Sequence, residues 1–242
     1  MNSTPCVFER HEMKYLLNDQ QRFVLLQAMR NQIKPDPHGE STICNLYYDT
    51  PDFRLIRKSL EKPVYKEKLR LRSYGPVKPE QEVFLELKKK YNEVVYKRRI
   101  SLPEQAADRF LRGDAPLPGK SQIGREIEYF LWLYQSLTPA VHLSYDRTAY
   151  FSKEDPNLRI TFDRNIRWRR ENLSLTAQPG GQQILAANQS LMEIKAGAAL
   201  PLWLVKLLNR EQISKTSFSK YGMAYESILQ NKLQKSRGVF CA

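Results

Sequence analysis

The sequence predicts an α+β protein built on an antiparallel β-barrel of about eight strands, with flanking and C-terminal helices. Three observations support this fold class. Apolar and polar residues alternate with a period of two in most segments of the chain. Lys and Arg repeatedly occupy the polar positions of that alternation. Segments with helical periodicity are inserted between the predicted strands or follow them, which is the order expected of an α+β fold.

Size and composition indicate one domain, with a core spanning about residues 5–232 of 242. Hydrophobic residues make up 41% of the chain, but no apolar run reaches the roughly 18–20 residues of a membrane-spanning helix. Residues 1–10 lack the apolar segment of a signal peptide. Cys6, Cys44 and Cys241 are far apart and form no CxxC motif. We therefore expect free thiols and a cytoplasmic location.

The predicted strands and helices follow from periodicity along the chain. The strands are residues 7–15, 43–49, 65–74, 82–90, 93–102, 141–151, 158–163, 167–175 and 190–196. Tyr91 and Asn92 join two of them in what we expect to be a tight hairpin. The helices are residues 19–31, 103–112, 122–136, 201–211 and 217–232, with 53–60 as a short helix or turn.

The charge is strongly biased, with 39 Lys and Arg against 26 Asp and Glu and a formal net charge of +13. Successive strand residues point to opposite faces, so Lys66, Lys68, Arg70 and Arg72 share one face. The same parity gives a charged face to the other strands: Arg10, Glu12 and Lys14; Glu86 and Lys88; Lys97 and Arg99; Arg159 and Asp163; Glu193 and Lys195. A single strand with one solvated face shows this pattern routinely. Six such strands, with like charges opposed, indicate a concave face that binds a polyanion.

Four carboxylates share this charged face: Glu12, Glu86, Asp163 and Glu193. Ion pairing with neighbouring Lys and Arg is the ordinary role for each of them. The alternative is a Mn²⁺ or Mg²⁺ site, because these ions take one or two carboxylates together with phosphate oxygens. We expect at least one of the four to serve a metal.

Other catalytic motifs are absent from the sequence. There is no Walker A loop and no GxGxxG, and His11, His38 and His142 lack metal-ligand spacing. No Ser or Cys lies in the context of a nucleophile. Phosphoryl transfer needs no protein nucleophile, because its catalysis is mainly positioning and charge stabilisation. It is the chemistry that best suits a basic face.

Eight segments, in chain order, carry a family resemblance: FERHEMKY, LYYDT, KLRLRSY, FLELKKKYNEVVYKRRISL, LSYDRTAY, LRITFD, LMEIK and SKTSFSKYGMAY. Together they resemble the VTC domain, the polyphosphate-polymerase branch of the triphosphate tunnel metalloenzymes, over nearly the whole chain. The resemblance identifies the barrel as a tunnel. Eukaryotic relatives join this domain to a phosphate-sensing SPX domain and to membrane helices; with neither in the sequence, we expect a standalone, bacterial-type form.

The resemblance also implies roles for particular residues. The phosphate path would be lined by Lys14, Arg70, Arg72, Lys88, Lys97, Arg147 and Arg159, with Tyr145 nearby. Arg10 and Arg99 share the charged face and are assigned to phosphate binding as well. Glu193 would bind the metal, with Glu12 as a second candidate, and Ser219 and Lys220 would contact the terminal phosphates from the last helix.

The activity implied is transfer of the γ-phosphate of ATP to a growing inorganic polyphosphate chain, with Mn²⁺ or Mg²⁺ as cofactor. In the related CYTH branch the first strand carries E-x-E-x-K, whereas this chain has Arg10-x-Glu12-x-Lys14. A cation in place of one carboxylate favours the polymerase. Two alternatives remain open: a tunnel triphosphatase, and a module that binds RNA without catalysis. We expect ATP and polyphosphate as partners and no nucleic acid, because the aromatic residues fall mostly on apolar strand faces.

Overall fold

One antiparallel sheet organises the chain. The computed structural model describes residues 11–92, 94–197 and 199–239. In that part of the chain the strands are β1 (His11–Asn18), β2 (Ile33–Pro35), β3 (Ser41–Asp49), β4 (Tyr65–Tyr74), β5 (Glu82–Tyr91), β6 (Val94–Pro103), β7 (Thr138–Ser152), β8 (Arg159–Arg169), β9 (Gln182–Gln183), β10 (Gln189–Ala196) and β11 (Lys215–Thr216).

Six helices in the same residues match the predicted helical segments to within three residues at each end, except that the last helix runs seven residues beyond its predicted end. They are α1 (Asp19–Met29), α2 (Arg54–Leu60), α3 (Glu104–Arg112), α4 (Gln122–Tyr134), α5 (Leu202–Arg210) and α6 (Lys220–Val239). Asn18 begins α1 with a capping box, and the Ser121 side chain accepts a hydrogen bond from the Gly124 amide at the start of α4. None of the described helices is long and apolar enough to cross a bilayer.

The sheet curls round into the predicted tunnel fold. Its strands follow the order β11-β1-β10-β8-β7-β3-β4-β5-β6, with β2 paired to β7 and β9 to β8. Within the described residues, eight strands have eight residues or more, as predicted, and three are shorter. No ladder joins β6 to β1 or β11 there. Instead the Lys88 ammonium of β5 lies 3.9 Å from the Glu12 carboxylate of β1, which brings the two ends of the sheet together across a seam.

The structure corrects two of the predicted strands. Residues 158–163 and 167–175 belong to one strand, β8, and residues 170–175 leave the sheet. Asn165 has a φ of 50°, and the pairing register shifts between Ser144 and Asp146 of β7. The strand therefore continues through a β-bulge at the position where the sequence pattern predicted a gap between two strands. The first predicted strand begins at His11 in the described part of the chain, and its residues 7–10 lie outside that part. The three short strands have too few residues for a periodic signal.

Helices cover the outer face of the sheet. Leu71 and Leu85 pack outward against α3 and α4, while α1 and α5 pack against β1, β8 and β10. α2 and α6 lie on the inner face instead, where they pack against β3, β7 and β8 and the Tyr221 ring stacks on Tyr47. Because α1, α3, α4 and α5 bury the apolar positions of the outer face, the alternating Lys and Arg positions face the interior of the curled sheet rather than solvent.

Candidate functional site

The curled sheet and α6 enclose a cavity of about 360 Å³. Nine basic side chains of the described residues line it: Lys14, Lys68, Arg70, Arg72, Lys88, Lys97, Arg147, Lys195 and Lys220. The other lining residues are Glu12, Glu193, Tyr47, Val95, Tyr96, Tyr145, Ser219 and Tyr221. We call this space the basic cavity.

Eleven of the fourteen predicted site residues line the basic cavity. They are Glu12, Lys14, Arg70, Arg72, Lys88, Lys97, Tyr145, Arg147, Glu193, Ser219 and Lys220. They come from six strands, the residue before α6 and the first residue of α6, so strand parity brings together residues that are far apart in the sequence.

Three predicted residues are not in the lining. Arg159 lies four residues before Asp163 on β8, about 13 Å along the strand. There its guanidinium stacks over the Phe151 ring, with Nη2 3.4 Å from the Asp36 carboxylate. Arg159 is also the register partner of Lys195, which lines the basic cavity, so its role in the phosphate path stays a prediction. Arg99 shares the strand face of Lys97 and pairs with Glu86, and Arg10 is outside the described residues.

Six lining residues were not predicted: Tyr47, Lys68, Val95, Tyr96, Lys195 and Tyr221. Lys68 and Lys195 share the charged strand face, so parity alone could have assigned them. Tyr96 has the opposite parity to Lys97, yet both line the cavity because β6 is an edge strand at the seam. Tyr47 and Tyr221 carried no signal, since a tyrosine in a strand or helix is most often a core residue.

Glu86 is the anion at the centre of the β4–β6 wall. It is 1% exposed, and its carboxylate accepts from Arg70 at 2.7 and 2.9 Å, from Arg99 Nε at 2.7 Å, and from Lys97 Nζ at 2.7 Å. Burial alone would raise the pKa of Glu86, but the charges of Arg70, Arg72 and Lys97 outweigh it and hold that pKa well below its usual range. One buried charge thus fixes the position of several cations.

Asp163 and Glu193 play the same part on the opposite wall. Arg147 forms a bidentate pair with Asp163 at 2.6 and 2.7 Å, and its Nη2 also donates to Glu193 at 3.0 Å. Lys220 of α6 lies 2.6 Å from Asp163 and 2.8 Å from Glu193. Burial opposes ionisation of Glu193, yet Lys220 and Arg147 keep its pKa well below the usual range. These contacts hold the first residue of α6 against β8 and β10.

Glu12 and Glu193 converge on the ammonium group of Lys14. Lys14 Nζ lies 3.5 Å from Glu12 and 3.9 Å from Glu193. Burial would raise the pKa of Glu12, but nearby Lys88 and Lys14 lower it to about 2. The Lys14, Lys88 and Lys195 ammonium groups all lie 3.5 to 4.0 Å from the Glu12 oxygens, farther than an ordinary hydrogen bond. Both carboxylates are ionised at neutral pH, and Glu12 is the one with room for a further ligand.

The described residues contain no cluster of three or more His, Cys, Asp or Glu that could hold a metal ion by itself. Mg²⁺ and Mn²⁺ do not require such a cluster, because they bind through one or two carboxylates together with phosphate oxygens and water. Glu12 and Glu193 meet that requirement, since both are ionised and point into the same part of the basic cavity.

Asp49 anchors the end of the cavity formed by α6. It is fully buried, accepts two backbone N–H bonds from α2 at 2.8 and 3.0 Å, and accepts the Tyr221 hydroxyl at 2.9 Å. The Tyr221 ring stacks on Tyr47 with centroids 4.5 Å apart, and the Tyr47 hydroxyl accepts from Arg70 at 3.0 Å. The start of α6 is thereby connected to α2 and to the arginines of the cavity wall.

Glu86→Gln tests the role of the buried anion. We expect the free energy of unfolding at pH 7 to fall by about 3 kcal/mol, because the variant leaves buried cations without their counter-charge. The folded pKa of Glu86 lies below its ordinary value of 4.5, so its contribution is complete above pH 4.5 and is lost as the pH falls toward the folded pKa. The difference in the free energy of unfolding between wild type and Glu86→Gln should therefore become about 2 kcal/mol smaller from pH 5 to pH 3, as measured by urea denaturation.

Glu126→Gln is the matched control for this measurement. Glu126 pairs with Arg98 and Lys89 outside the cavity, where it is partly exposed. We expect a change of less than about 1 kcal/mol. An equal effect of the two substitutions, or a Glu86→Gln gap that does not vary with pH, would contradict the proposed role of Glu86.

The fold has a counterpart among solved structures. A proposed adenylate cyclase from Bacillus halodurans superposes with a TM-score of 0.55, at 15% identity, over 86% of this chain and 92% of that one. At this level of identity the similarity establishes the fold alone.

Two curated proteins are similar in sequence, and both are named vacuolar transporter chaperone complex subunit 4. The protein of Schizosaccharomyces pombe is 26% identical over 234 residues, and that of Trypanosoma brucei brucei is 27% identical over 219 residues. The matches cover 79% and 75% of this chain, but only 32% and 28% of the relatives, so the chain spans about a third of their length.

The family comparison agrees with the motifs, the fold and the basic cavity. The family model described as the VTC domain matches residues 9–229 of the 242-residue chain. The protein therefore belongs to the VTC domain family.

Proposed function

We propose that the protein is a metal-dependent polyphosphate polymerase that transfers the γ-phosphate of ATP to a growing inorganic polyphosphate chain. The observation that carries the proposal is the basic cavity, where nine cations and two ionised carboxylates meet in about 360 Å³. Membership of the VTC domain family supports a polyphosphate-related function.

The cavity walls suit phosphate groups in both charge and geometry. A guanidinium group has five N–H donors in a planar fork. Arg72 uses one on the Asn45 side chain at 3.0 Å and another on the Tyr145 hydroxyl at 3.3 Å, which fixes its plane while other donors remain for a ligand. Lys88 is partly exposed and lies on β5, the strand next to that of Arg72, where it can supply a point charge.

The reaction requires no protein nucleophile. A terminal oxygen of the acceptor chain attacks the γ-phosphorus of ATP, the bond from that phosphorus to the β,γ-bridging oxygen breaks, and ADP leaves. The residues of the cavity hold donor and acceptor phosphates in line and offset the negative charge that otherwise separates them. Because the buried carboxylates already hold these cations in place, little reorganisation is needed when charge develops.

Mn²⁺ or Mg²⁺, when bound, would supply further positive charge at the γ-phosphate oxygens. We propose Glu193 and Glu12 as its protein ligands. Lys14 lies between the two carboxylates and donates to the Phe218 carbonyl at 2.8 Å, so it stays near the same phosphates. Lys220 and Arg147 orient Glu193 by one hydrogen bond to each of its oxygens.

Product analysis tests the proposed reaction. The purified chain incubated with ATP and Mn²⁺ should produce ADP and phosphate chains long enough to resolve on a gel, and EDTA should stop the reaction. Consumption of ATP with release of orthophosphate or short oligophosphates alone would identify a tunnel triphosphatase instead. RNA binding with a steep salt dependence and no ATP consumption would identify a binding module.

Substitutions in the cavity test the assigned roles. We expect Glu193→Gln to lower ATP turnover at least about a hundredfold, because the substitution removes a negative charge from the proposed metal site and removes the anion that orients Lys220.

Glu12→Gln should raise the Mn²⁺ concentration needed for half-maximal rate. Arg72→Ala should raise the KM for ATP about tenfold or more, through loss of charged hydrogen bonds to phosphate.

Glu126→Gln again provides the control, with steady-state kinetics close to wild type and circular dichroism to confirm folding of every variant. Wild-type activity in folded Glu193→Gln and Arg72→Ala would contradict the site assignment.

A further inference from the structure

Lys68 has a setting unlike that of the other cations in the basic cavity. It lies in β4 between Lys66 and Arg70 on the same face, directly opposite Lys88 of β5, and its ammonium also faces Lys14 of β1. Its hydrogen bond is to an uncharged group, the Ser219 hydroxyl, at 3.2 Å. The nearest ionisable neighbours are therefore all positive.

No Asp or Glu of the residues described by the structure lies within ion-pair distance of Lys68. The carboxylates of the cavity are committed elsewhere: Glu86 to Arg70, Lys97 and Arg99, Asp163 and Glu193 to Arg147 and Lys220, and Glu12 to Lys14, Lys88 and Lys195. Within the described part of the chain, Lys68 thus has no counter-charge. A bound anion is the partner that the setting lacks.

Ser219 connects Lys68 to α6. Its Oγ accepts from Lys68 and from the Gly222 amide at 3.1 Å, so it caps the start of α6. The next residue, Lys220, is held by Asp163 and Glu193. A phosphate beside Lys68 would therefore also lie near the Ser219 hydroxyl, at the point where β4 approaches α6.

We propose that Lys68 is a phosphate-binding residue of this site, and that a phosphate chain bound beside it supplies the counter-charge that shifts Lys68 toward its protonated form. The inference rests on the proposed function, since it assumes that a phosphate chain enters the basic cavity. It adds a residue and a linkage to protons that the proposed function does not contain.

The electrostatics support this assignment. Burial, followed by the charges of Lys88, Lys14 and Lys66, lowers the pKa of Lys68 from 10.5 to about 7. The other groups that face the same space are Glu12 of β1, Arg70 and Arg72 of β4, Lys97 of β6, Arg147 of β7, Glu193 and Lys195 of β10, Lys220 and Tyr221 of α6, and Tyr47 of β3. A polyanion reverses the sign of the nearest charge and must raise the pKa of Lys68. At pH 8, Lys68 is therefore mostly deprotonated in the empty site and mostly protonated in the occupied site, and binding takes up most of one proton.

Lys97 and Lys195 can also take up protons when an anion binds, because burial lowers the pKa of Lys97 to about 8 and also lowers that of Lys195. Both are paired with carboxylates, so a substitution at Lys68 leaves their contribution in place. The difference between wild type and variant isolates Lys68.

Calorimetric titration with tripolyphosphate at pH 8, without metal, measures the linkage. Titrations in two buffers of different ionisation enthalpy give the number of protons taken up on binding. Lys68→Arg carries a permanent positive charge. It should therefore take up fewer protons than wild type when it binds tripolyphosphate, by most of one proton per site. Lys68→Met should show the same loss of uptake and about tenfold weaker binding at pH 7. Thermal melting of each variant verifies that it is folded.

The outcomes separate this inference from the proposed function. Tripolyphosphate binding with equal proton uptake in wild type and Lys68→Arg would overturn the inference and leave the function standing. Undiminished affinity in Lys68→Met would overturn the role of Lys68 in phosphate binding. Failure of the wild type to bind tripolyphosphate or ATP would overturn both.

Discussion

Nine cations in one cavity repel one another, and this repulsion is the constraint on which the rest of the structure depends. The buried carboxylates Glu86, Asp163 and Glu193 oppose it from the cavity walls. Each accepts hydrogen bonds from two or more cations, so the side chains that would bind phosphate are held in position before a ligand arrives. Such preorganisation is what electrostatic stabilisation of phosphoryl transfer requires.

The fold follows from the different environments that the apolar face and the basic face of each strand require. The apolar face is covered by helices, and this leaves the basic face to line the interior. The seam between β6 and β1 is bridged by the Lys88–Glu12 ion pair. α6 closes one end, where Lys220 joins the buried carboxylates and Tyr221 joins Asp49. Structural and binding roles therefore meet in the same few residues.

Strand parity predicted most of the fold and much of the site, because a period of two determines which side chains share a face. Arg70, Arg72, Lys88 and Lys97 were placed on the charged face in this way. Parity says nothing about distance along a strand or about pairing: Arg159 shares the charged face, and the structure shows that it pairs with Asp36.

Two other features were beyond the sequence pattern. The bulge at Asn165 lies within one continuous strand that the sequence pattern divided into two. A single residue in the left-handed conformation cannot be predicted from the alternation of apolar and polar residues. The different settings of the carboxylates depend on burial. Glu86 and Asp163 are 1% and 0% exposed and are occupied by cations, whereas Glu12 retains access to the cavity. The family resemblance singled out Glu193 and Glu12 as metal ligands, and this assignment stays a prediction.

A crystal structure of the protein with tripolyphosphate would show whether a phosphate chain lies within the basic cavity against cations held by buried carboxylates. We expect phosphate oxygens at about 2.7–3.0 Å from the Arg72 guanidinium and the Lys88 ammonium, with Glu86 still paired to Arg70. Tripolyphosphate bound on the outer surface, with the cavity walls unchanged and without phosphate, would contradict this expectation.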